Sequence, residues 1–120
     1  MSDIKPAKSS PRLENGVLKW YHGDSFQIEW EINLTQNGEP YEYDSNDELI
    51  FSFFNKPGKE LVHQFTFTNI QDGVVTLDFT EEISNKFDVG HYSYCIKFNS
   101  NDGELITLFA KERAEVEPCH

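Results

Sequence analysis

Several residue types are scarce in this sequence, and each shortage excludes a class of protein. Two cysteines in 120 residues are too few for a disulfide framework. Alanine occurs only three times, against ten phenylalanines, five tyrosines and two tryptophans, so strands are favoured over long helices. The chain has 10 basic and 21 acidic residues, which gives a formal net charge of −11. A protein that binds nucleic acid or an anionic membrane needs a basic surface, so we predict neither as a partner.

Apolar runs long enough to span a membrane are also missing. The first six residues carry no apolar core of the kind that a signal peptide needs, so we predict synthesis in the cytoplasm. The length suits one domain with a single core. Residues 1–11 combine two prolines, three serines and two lysines. This composition predicts a flexible arm, followed by a single domain at residues 12–118.

Two stretches alternate apolar and polar side chains with the period of a half-buried strand. One covers residues 26–34, and the other, residues 90–98, begins with a glycine. The inward-facing residues are predicted to be Phe26, Ile28, Trp30, Ile32 and Leu34 in the first, and Tyr92, Tyr94, Ile96 and Phe98 in the second. We predict that residues 90–98 form the central strand, and that Trp30 and Tyr92 are buried in the core.

The rest of the chain adds short apolar stretches at intervals of roughly ten residues. Asn37-Gly38 and Asp72-Gly73 are typical of tight turns between strands. Residues 49–54 are apolar on nearly both faces, as in a central strand, and residues 80–87 are predicted to form one helical turn capped by Thr80. Together these patterns predict an all-β fold, an antiparallel β-sandwich of seven to eight strands, with a small barrel as the alternative.

No motif of a known catalytic chemistry appears in the sequence. A nucleophile elbow, a P-loop and a dinucleotide-binding glycine pattern are all missing. The histidines, at positions 22, 63, 91 and 120, lack metal-binding spacing apart from the terminal Cys119-His120 pair. Cys95 and Cys119 are predicted to be free thiols. We predict a protein that is not an enzyme, with no catalytic residue, cofactor or resident metal.

An acidic stretch, residues 39–48, is predicted to form a loop that crosses between sheets and is too polar for the core. Asp44 to Glu48 place several oxygen ligands close together, as calcium requires, but lack the glycine and glutamate of an EF-hand loop. Glu29 and Glu31 share the polar face of one strand, without the context of a paired-carboxylate active site. We therefore interpret these acidic residues as a solvated surface.

Four aromatic residues are candidates for contacts with a ligand or partner: Trp20, Tyr21, Tyr41 and Tyr43. Aromatic rings on the surface of a sandwich can stack against sugars, so carbohydrate is a ligand that these residues could bind. Core or edge packing is the default interpretation for all four, because aromatic side chains also dominate cores. Trp30 is not a candidate, since the alternation places it on the inward face.

Four motifs occur in an order that matches a known family. Residues 21–28 contain Gly-Asp-Ser-Phe, residues 47–51 read Asp-Glu-Leu-Ile-Phe with a one-residue insertion, residues 90–96 read Gly-His-Tyr-Ser-Tyr-Cys-Ile, and Asp102-Gly103 precedes Thr107. This series resembles small proteins encoded among the tail and baseplate genes of phages and prophages of Gram-positive bacteria. The resemblance covers residues 20–118. It departs from the family pattern at residues 108–113, so the register of the last strand stays open.

The resemblance implies an immunoglobulin-like domain, similar to the sandwich module of phage baseplate upper proteins. It implies a structural or adhesive part of the virion, without catalysis. The implied partners are other tail or baseplate proteins, or further copies of the same chain. A carbohydrate-binding or adhesion module of a bacterial surface is the alternative.

Overall fold

The structure, a computed structural model, describes residues 12–14, 16–56 and 59–118. Most of these residues are in strands and only four are in a helix, which confirms the all-β prediction. The elements are β1 (Arg12–Glu14), β2 (Val17–Tyr21), β3 (Phe26–Glu31), β4 (Thr35–Gln36), β5 (Glu39–Pro40), β6 (Glu48–Asn55), β7 (Leu61–Phe67), β8 (Val74–Phe79), α1 (Glu81–Ser84), β9 (Gly90–Asn99) and β10 (Leu105–Glu117). The predicted arm at 1–11 and the Cys119-His120 pair lie outside the described residues. Of the described helices, none is long and apolar enough to cross a membrane.

The strands form one large sheet and two small ones. The large sheet has six strands in the order β1-β2-β10-β9-β6-β7, and β3-β8 and β4-β5 are two-stranded. Within the described chain every ladder is antiparallel except that between β2 and β10, which is parallel with Val17 opposite Arg113. The prediction of purely antiparallel pairing is therefore wrong at this ladder. Strands joined by a tight turn must run antiparallel, but β3 to β9 lie between β2 and β10 in the chain. No hairpin therefore prevents β2 and β10 from running parallel.

The predicted central strand lies in the interior of the large sheet. β9 pairs with β10 on one side and with β6 on the other. Its alternation is as predicted, with Tyr92, Tyr94, Ile96 and Phe98 buried. The prediction for β6 is also confirmed, since this strand is interior and is buried on both faces at Phe51, Ser52 and Phe53.

Trp20 is the centre of an aromatic cluster that joins two sheets. Its ring centroid lies 5.5 Å from that of Phe26 and 5.2 Å from that of Phe79, which belong to the β3-β8 sheet. It also lies 6.5 Å from Phe53 of the large sheet and 5.4 Å from Phe87. The β3-β8 sheet therefore covers one face of the large sheet, and burial of these rings stabilises the fold.

Trp30 is less buried than predicted. It faces the core, with its ring 5.3 Å from Phe51 and 5.9 Å from Tyr94, but it is only partly buried. β3 ends at Glu31, three residues short of the predicted strand end at residue 34. Because β3 pairs only with β8 among the described strands, one of its edges has no strand beside it, and Trp30 retains contact with solvent.

Turns and caps follow the local sequence closely. Asn37 (φ +55°) and Gly38 (φ +80°) both adopt the left-handed backbone that the predicted turn requires. The N–H of Ile83 donates to the Thr80 hydroxyl over 3.3 Å, so Thr80 caps α1 as predicted. The turn at Asp72-Gly73 has positive φ at both residues.

The last strand, whose register the sequence left open, is long and irregular. β10 runs for 13 residues and shifts register twice against β9, between Thr107 and Phe109 and between Phe109 and Glu112. Its second half holds the buried residues Ala114 and Val116. The parallel partner β2 explains this burial, because it extends the sheet beside residues 113–117.

Candidate functional site

A groove runs beside the first half of β10. Since β2 pairs with β10 only at residues 113–117, residues 105–112 have a single neighbouring strand, β9, in the described part of the chain. Two adjoining cavities of about 630 and 370 Å³ open along this edge and share Asn33, Leu34 and Leu108. Their far wall is the segment 30–36, which continues from β3. We call this feature the β10 groove.

The β10 groove combines an apolar wall with an acidic rim. Ile106 and Phe109 lie on the β10 side, and Tyr41 and Phe98 line the larger cavity. Three carboxylates also border the two cavities: Glu31, Asp102 and Glu104. An edge strand with exposed backbone groups, apolar side chains and a charged rim has the features of a surface that binds an extended peptide.

The first half of β10 exposes an unusual amount of apolar surface. Leu105 is 57% exposed, Ile106 41% and Phe109 46%, and all three lie within five residues. Single exposed apolar side chains are normal on a protein surface. A contiguous group marks an interaction surface more often than it occurs by chance. The sequence carries a weak signal of this group, because residues 105–109 are apolar at four of five positions and do not alternate.

Asp47 holds two sides of the β10 groove in place. The Tyr41 hydroxyl donates to Oδ2 over 2.6 Å and the Asp44 N–H to the same oxygen over 2.7 Å. The Asn101 N–H donates to Oδ1 over 2.8 Å. The prediction that the acidic stretch is too polar for the core is wrong at Asp47, which is fully buried. Three donors satisfy the carboxylate and make its burial tolerable.

These contacts shift the pKa values of the Asp47 carboxyl and the Tyr41 hydroxyl. Burial alone raises the pKa of the Asp47 carboxyl, but hydrogen bonds from Tyr41, Asp44 and Asn101 outweigh burial and lower this pKa below its usual 3.8. The hydrogen bond to Asp47 is the main reason that the pKa of Tyr41 rises to about 12, with burial as the second cause. The pair is therefore a carboxylate and a neutral phenol across the neutral pH range.

The structure brings together only two of the four predicted contact residues. Tyr41 and Tyr43 have ring centroids 5.7 Å apart, with planes at 77°, and both rings pack against Phe98. The Tyr43 hydroxyl donates to the carbonyl of Ile32 over 2.7 Å. Tyr21 pairs with Glu117 at the Gly90 end of β9, about 26 Å along the strand from Phe98.

Trp20 is not available for contacts with a ligand. Its side chain has no exposed surface, so its prediction as a surface contact is wrong. The reason is its position in β2, where alternate residues face inward and the indole fills the space between Phe26, Phe79 and Phe87. An aromatic platform that includes Trp20 is therefore excluded.

The sequence also raised metal binding, a glutamate pair and a free cysteine as candidates for chemistry. Among the described residues, no group of three His, Cys, Asp or Glu side chains is placed to hold a metal ion. Both oxygens of Asp47 already accept hydrogen bonds, which argues against the calcium hypothesis for residues 44–48. Glu29 and Glu31 are exposed, and Cys95 is a half-buried free thiol on the polar face of β9.

Comparison of the chain with models of known protein families, with curated proteins and with solved structures finds no match. The features of the chain that bear on its function are therefore the β10 groove, the order of the strands and the four sequence motifs.

Proposed function

We propose that the chain is an immunoglobulin-like β-sandwich that acts as a non-enzymatic structural or adhesive component of a phage or prophage tail or baseplate. It works through protein–protein contacts made at the β10 groove. The observation that carries the proposal is the open edge of β10, with Leu105, Ile106 and Phe109 exposed beside it.

The order of the strands supports the proposed fold. In an immunoglobulin domain the second and fifth strands share one sheet, and the third, sixth and seventh share the other. Here β3 pairs with β8, while β6, β9 and β10 are neighbours in the large sheet. The chain visits β3, β6, β8, β9 and β10 in the order that this architecture requires. This order supports the proposal of a two-layer sandwich.

A hydrogen bond at the start of β9 also supports this fold. The Tyr92 hydroxyl donates to the backbone carbonyl of Asp88, four residues earlier, over 2.7 Å. Immunoglobulin-like domains carry a tyrosine corner of this kind, in which a tyrosine near the start of the sixth strand bonds back to the preceding turn. The glycine-aromatic motif at Gly90 to Tyr92 therefore has a physical role in the fold.

The assignment to a tail or baseplate comes from the order of the four sequence motifs. Two of their residues, Asp47 and Tyr92, hold loops of the fold through hydrogen bonds. The motifs therefore support the proposed fold directly. The role in a tail is the function that the resemblance implies, and an acidic domain with an open sheet edge suits it.

The charge of the chain favours a different protein as partner over a second copy. Copies with a net charge of −11 repel one another, and Glu31, Asp102 and Glu104 border the β10 groove. An extended segment that places apolar side chains in the groove and basic ones at its rim would satisfy both features. Its backbone would pair with the free edge of residues 105–112.

A binding assay with the products of neighbouring genes tests the proposal. We expect the parent chain to capture one of them, and the double variant Ile106→Ser with Phe109→Ser to bind at least tenfold more weakly. Val89→Ser is the matched control, because Val89 is 52% exposed but does not line the groove. A chain that stays monomeric and captures no neighbouring product would contradict the function. Equal capture by parent and double variant would exclude the groove as the contact.

Carbohydrate binding by a bacterial surface module is the second candidate, and Tyr41 at the β10 groove is the observation that favours it. The rings of Tyr41 and Tyr43 are nearly perpendicular, so they do not form one flat platform. Screening on a glycan array tests this candidate, and a flat response would remove it.

A further inference from the structure

A separate cavity of about 590 Å³ lies on the opposite face of the large sheet, away from β3 and β8. Its lining residues are Phe54, Lys56, Lys59, Ser93, Lys111 and Arg113. The register places it on this face, because Phe54 and Arg113 both stand opposite Ser93, whereas Tyr92 and Tyr94 on either side point into the core. We call it the cationic cavity.

The cationic cavity concentrates positive charge in an acidic protein. Its four basic residues are more than half of the seven lysine and arginine side chains that the structure describes. In the described part of the chain, none of the four forms an ion pair with an acidic side chain. Four like charges on one cavity repel each other, and a bound anion would relieve that repulsion.

Two of the lysines have an unfavourable backbone conformation with positive φ. Among the residues that the structure describes, five non-glycine residues have positive φ, and three of them are Asn37, Asn69 and Asp72, residue types that tolerate this conformation. The other two are Lys59 (φ +55°) and Lys111 (φ +56°), and both line the cationic cavity. Unfavourable backbone of this kind is concentrated at functional sites, where it fixes the direction of a side chain.

Lys111 also lies in an irregularity of β10. The register between β9 and β10 shifts between Phe109 and Glu112, so residues 110 and 111 form a bulge. Bulges redirect side chains and often occur beside binding sites. The irregularity and the positive φ of Lys111 therefore act together to turn this lysine toward the cavity that Arg113 also lines.

We propose that the cationic cavity binds a small anionic ligand that carries phosphate or carboxylate groups, with its apolar or ring portion against Phe54. The guanidinium of Arg113 offers a fork that matches either group, and the lysines supply further charge. The volume lies within the roughly 300–1,000 Å³ range of small-molecule sites. A long polyanion is disfavoured, because the net charge of −11 repels any part that extends beyond the cavity.

Calorimetric titration of the full chain with pyrophosphate and with citrate tests this site, since the two probes distinguish phosphate from carboxylate recognition. We expect at least one probe to bind, with affinity that falls as salt rises. Lys111→Gly is the most informative variant. Glycine adopts positive φ readily, so this variant should unfold at the same or a higher temperature than the parent while binding at least tenfold more weakly.

Lys97→Ala is the matched control. Lys97 stands opposite Ile50 and Thr107 in the same sheet and does not line the cationic cavity, so its removal should change affinity less than threefold. An equal loss in Lys97→Ala and Lys111→Gly would mean diffuse charge attraction and would overturn the proposal. Failure of both probes to bind at low salt would also overturn it. Arg113→Lys keeps the charge but not the fork, and we expect an intermediate affinity.

Discussion

The Asp47 carboxylate accepts a 2.8 Å hydrogen bond from the backbone N–H of Asn101, 54 residues further along the chain. Its other oxygen accepts the Tyr41 hydroxyl at 2.6 Å. One fully buried side chain thus joins the loop before β6 to the turn between β9 and β10. Since Tyr41 and Asn101 both line the β10 groove, its geometry depends on Asp47.

Replacing Asp47 with asparagine should destabilise the fold. The amide that replaces one oxygen is a donor, and it would face groups that also donate, so at least one buried donor would lose its acceptor. We expect a loss of about 2–4 kcal/mol in the free energy of unfolding, measured by urea denaturation. Asp102→Asn, at an exposed position in the neighbouring turn, should change it by less than about 0.5 kcal/mol. Equal denaturation midpoints for the two variants would show that the Asp47 network contributes nothing.

The same network makes stability depend on pH in the acid range. The native pKa of Asp47 is lowered below 3.8, since the hydrogen bonds from Tyr41, Asp44 and Asn101 outweigh its burial. The folded state therefore binds this proton less tightly than the unfolded chain. The stabilisation is complete above about pH 5 and is lost as the pH falls through the native pKa. Urea denaturation between about pH 5 and 2 should show a shallower decline for Asp47→Asn than for the parent. Parallel declines would assign the acid sensitivity to other groups.

Features that depend on neighbouring residues could be predicted from the sequence. The alternation of β9 and β8 gives the buried face directly, because successive side chains of a strand point to opposite sides. The Thr80 cap and the turn at Asn37-Gly38 are equally local, since each needs only a few residues with the right backbone preference. The buried faces of β8 and β9, and the backbone conformation at the cap and the turn, follow from the local pattern alone.

Features set by distant residues could not be predicted. The Lys-Trp-Tyr-His context of Trp20 gives no sign of full burial, because the rings around it come from β3, β6, β8 and the segment before β9. Asp47 lies in an acidic stretch, and its burial depends on a donor in a distant turn. The β10 groove exists because β2 pairs in parallel with only the second half of β10, a register that no local pattern encodes.

Trp20 and Trp30 should contribute unequally to stability. Trp20 is fully buried among four aromatic rings, whereas Trp30 is partly buried at the edge of β3. We expect Trp20→Ala to lower the free energy of unfolding by about 3–5 kcal/mol and Trp30→Ala by less. Thermal and urea denaturation of the two variants measure this difference.

Fluorescence gives an independent check on the two environments. Trp30→Phe leaves Trp20 as the single tryptophan, and its emission should be blue-shifted and insensitive to iodide. Trp20→Phe leaves Trp30, which iodide should quench in part. Equal quenching of the two variants would contradict the difference in burial.

Gly73 should be far less replaceable than Gly38, although both have positive φ, +74° and +80°. An alanine at either position meets the cost of left-handed backbone, about 1–2 kcal/mol. A Cβ at Gly73 would also lie 2.5 Å from the carbonyl oxygen of Ile32, whereas nothing lies within 4 Å at Gly38. The Ile32 N–H donates to the Gly73 carbonyl over 2.8 Å, so this clash would disturb the link between the β8 turn and the wall of the β10 groove.

We therefore expect Gly73→Ala to unfold at a temperature about 4 °C below that of Gly38→Ala, as an additional loss of ~1 kcal/mol predicts for a domain of this size. Scanning calorimetry of the two variants measures the difference. Because segment 30–36 forms one wall of the β10 groove, Gly73→Ala should also bind a partner more weakly than Gly38→Ala. If the two variants melted together, the close approach of Gly73 to Ile32 would have no energetic consequence, and the groove wall would not depend on it.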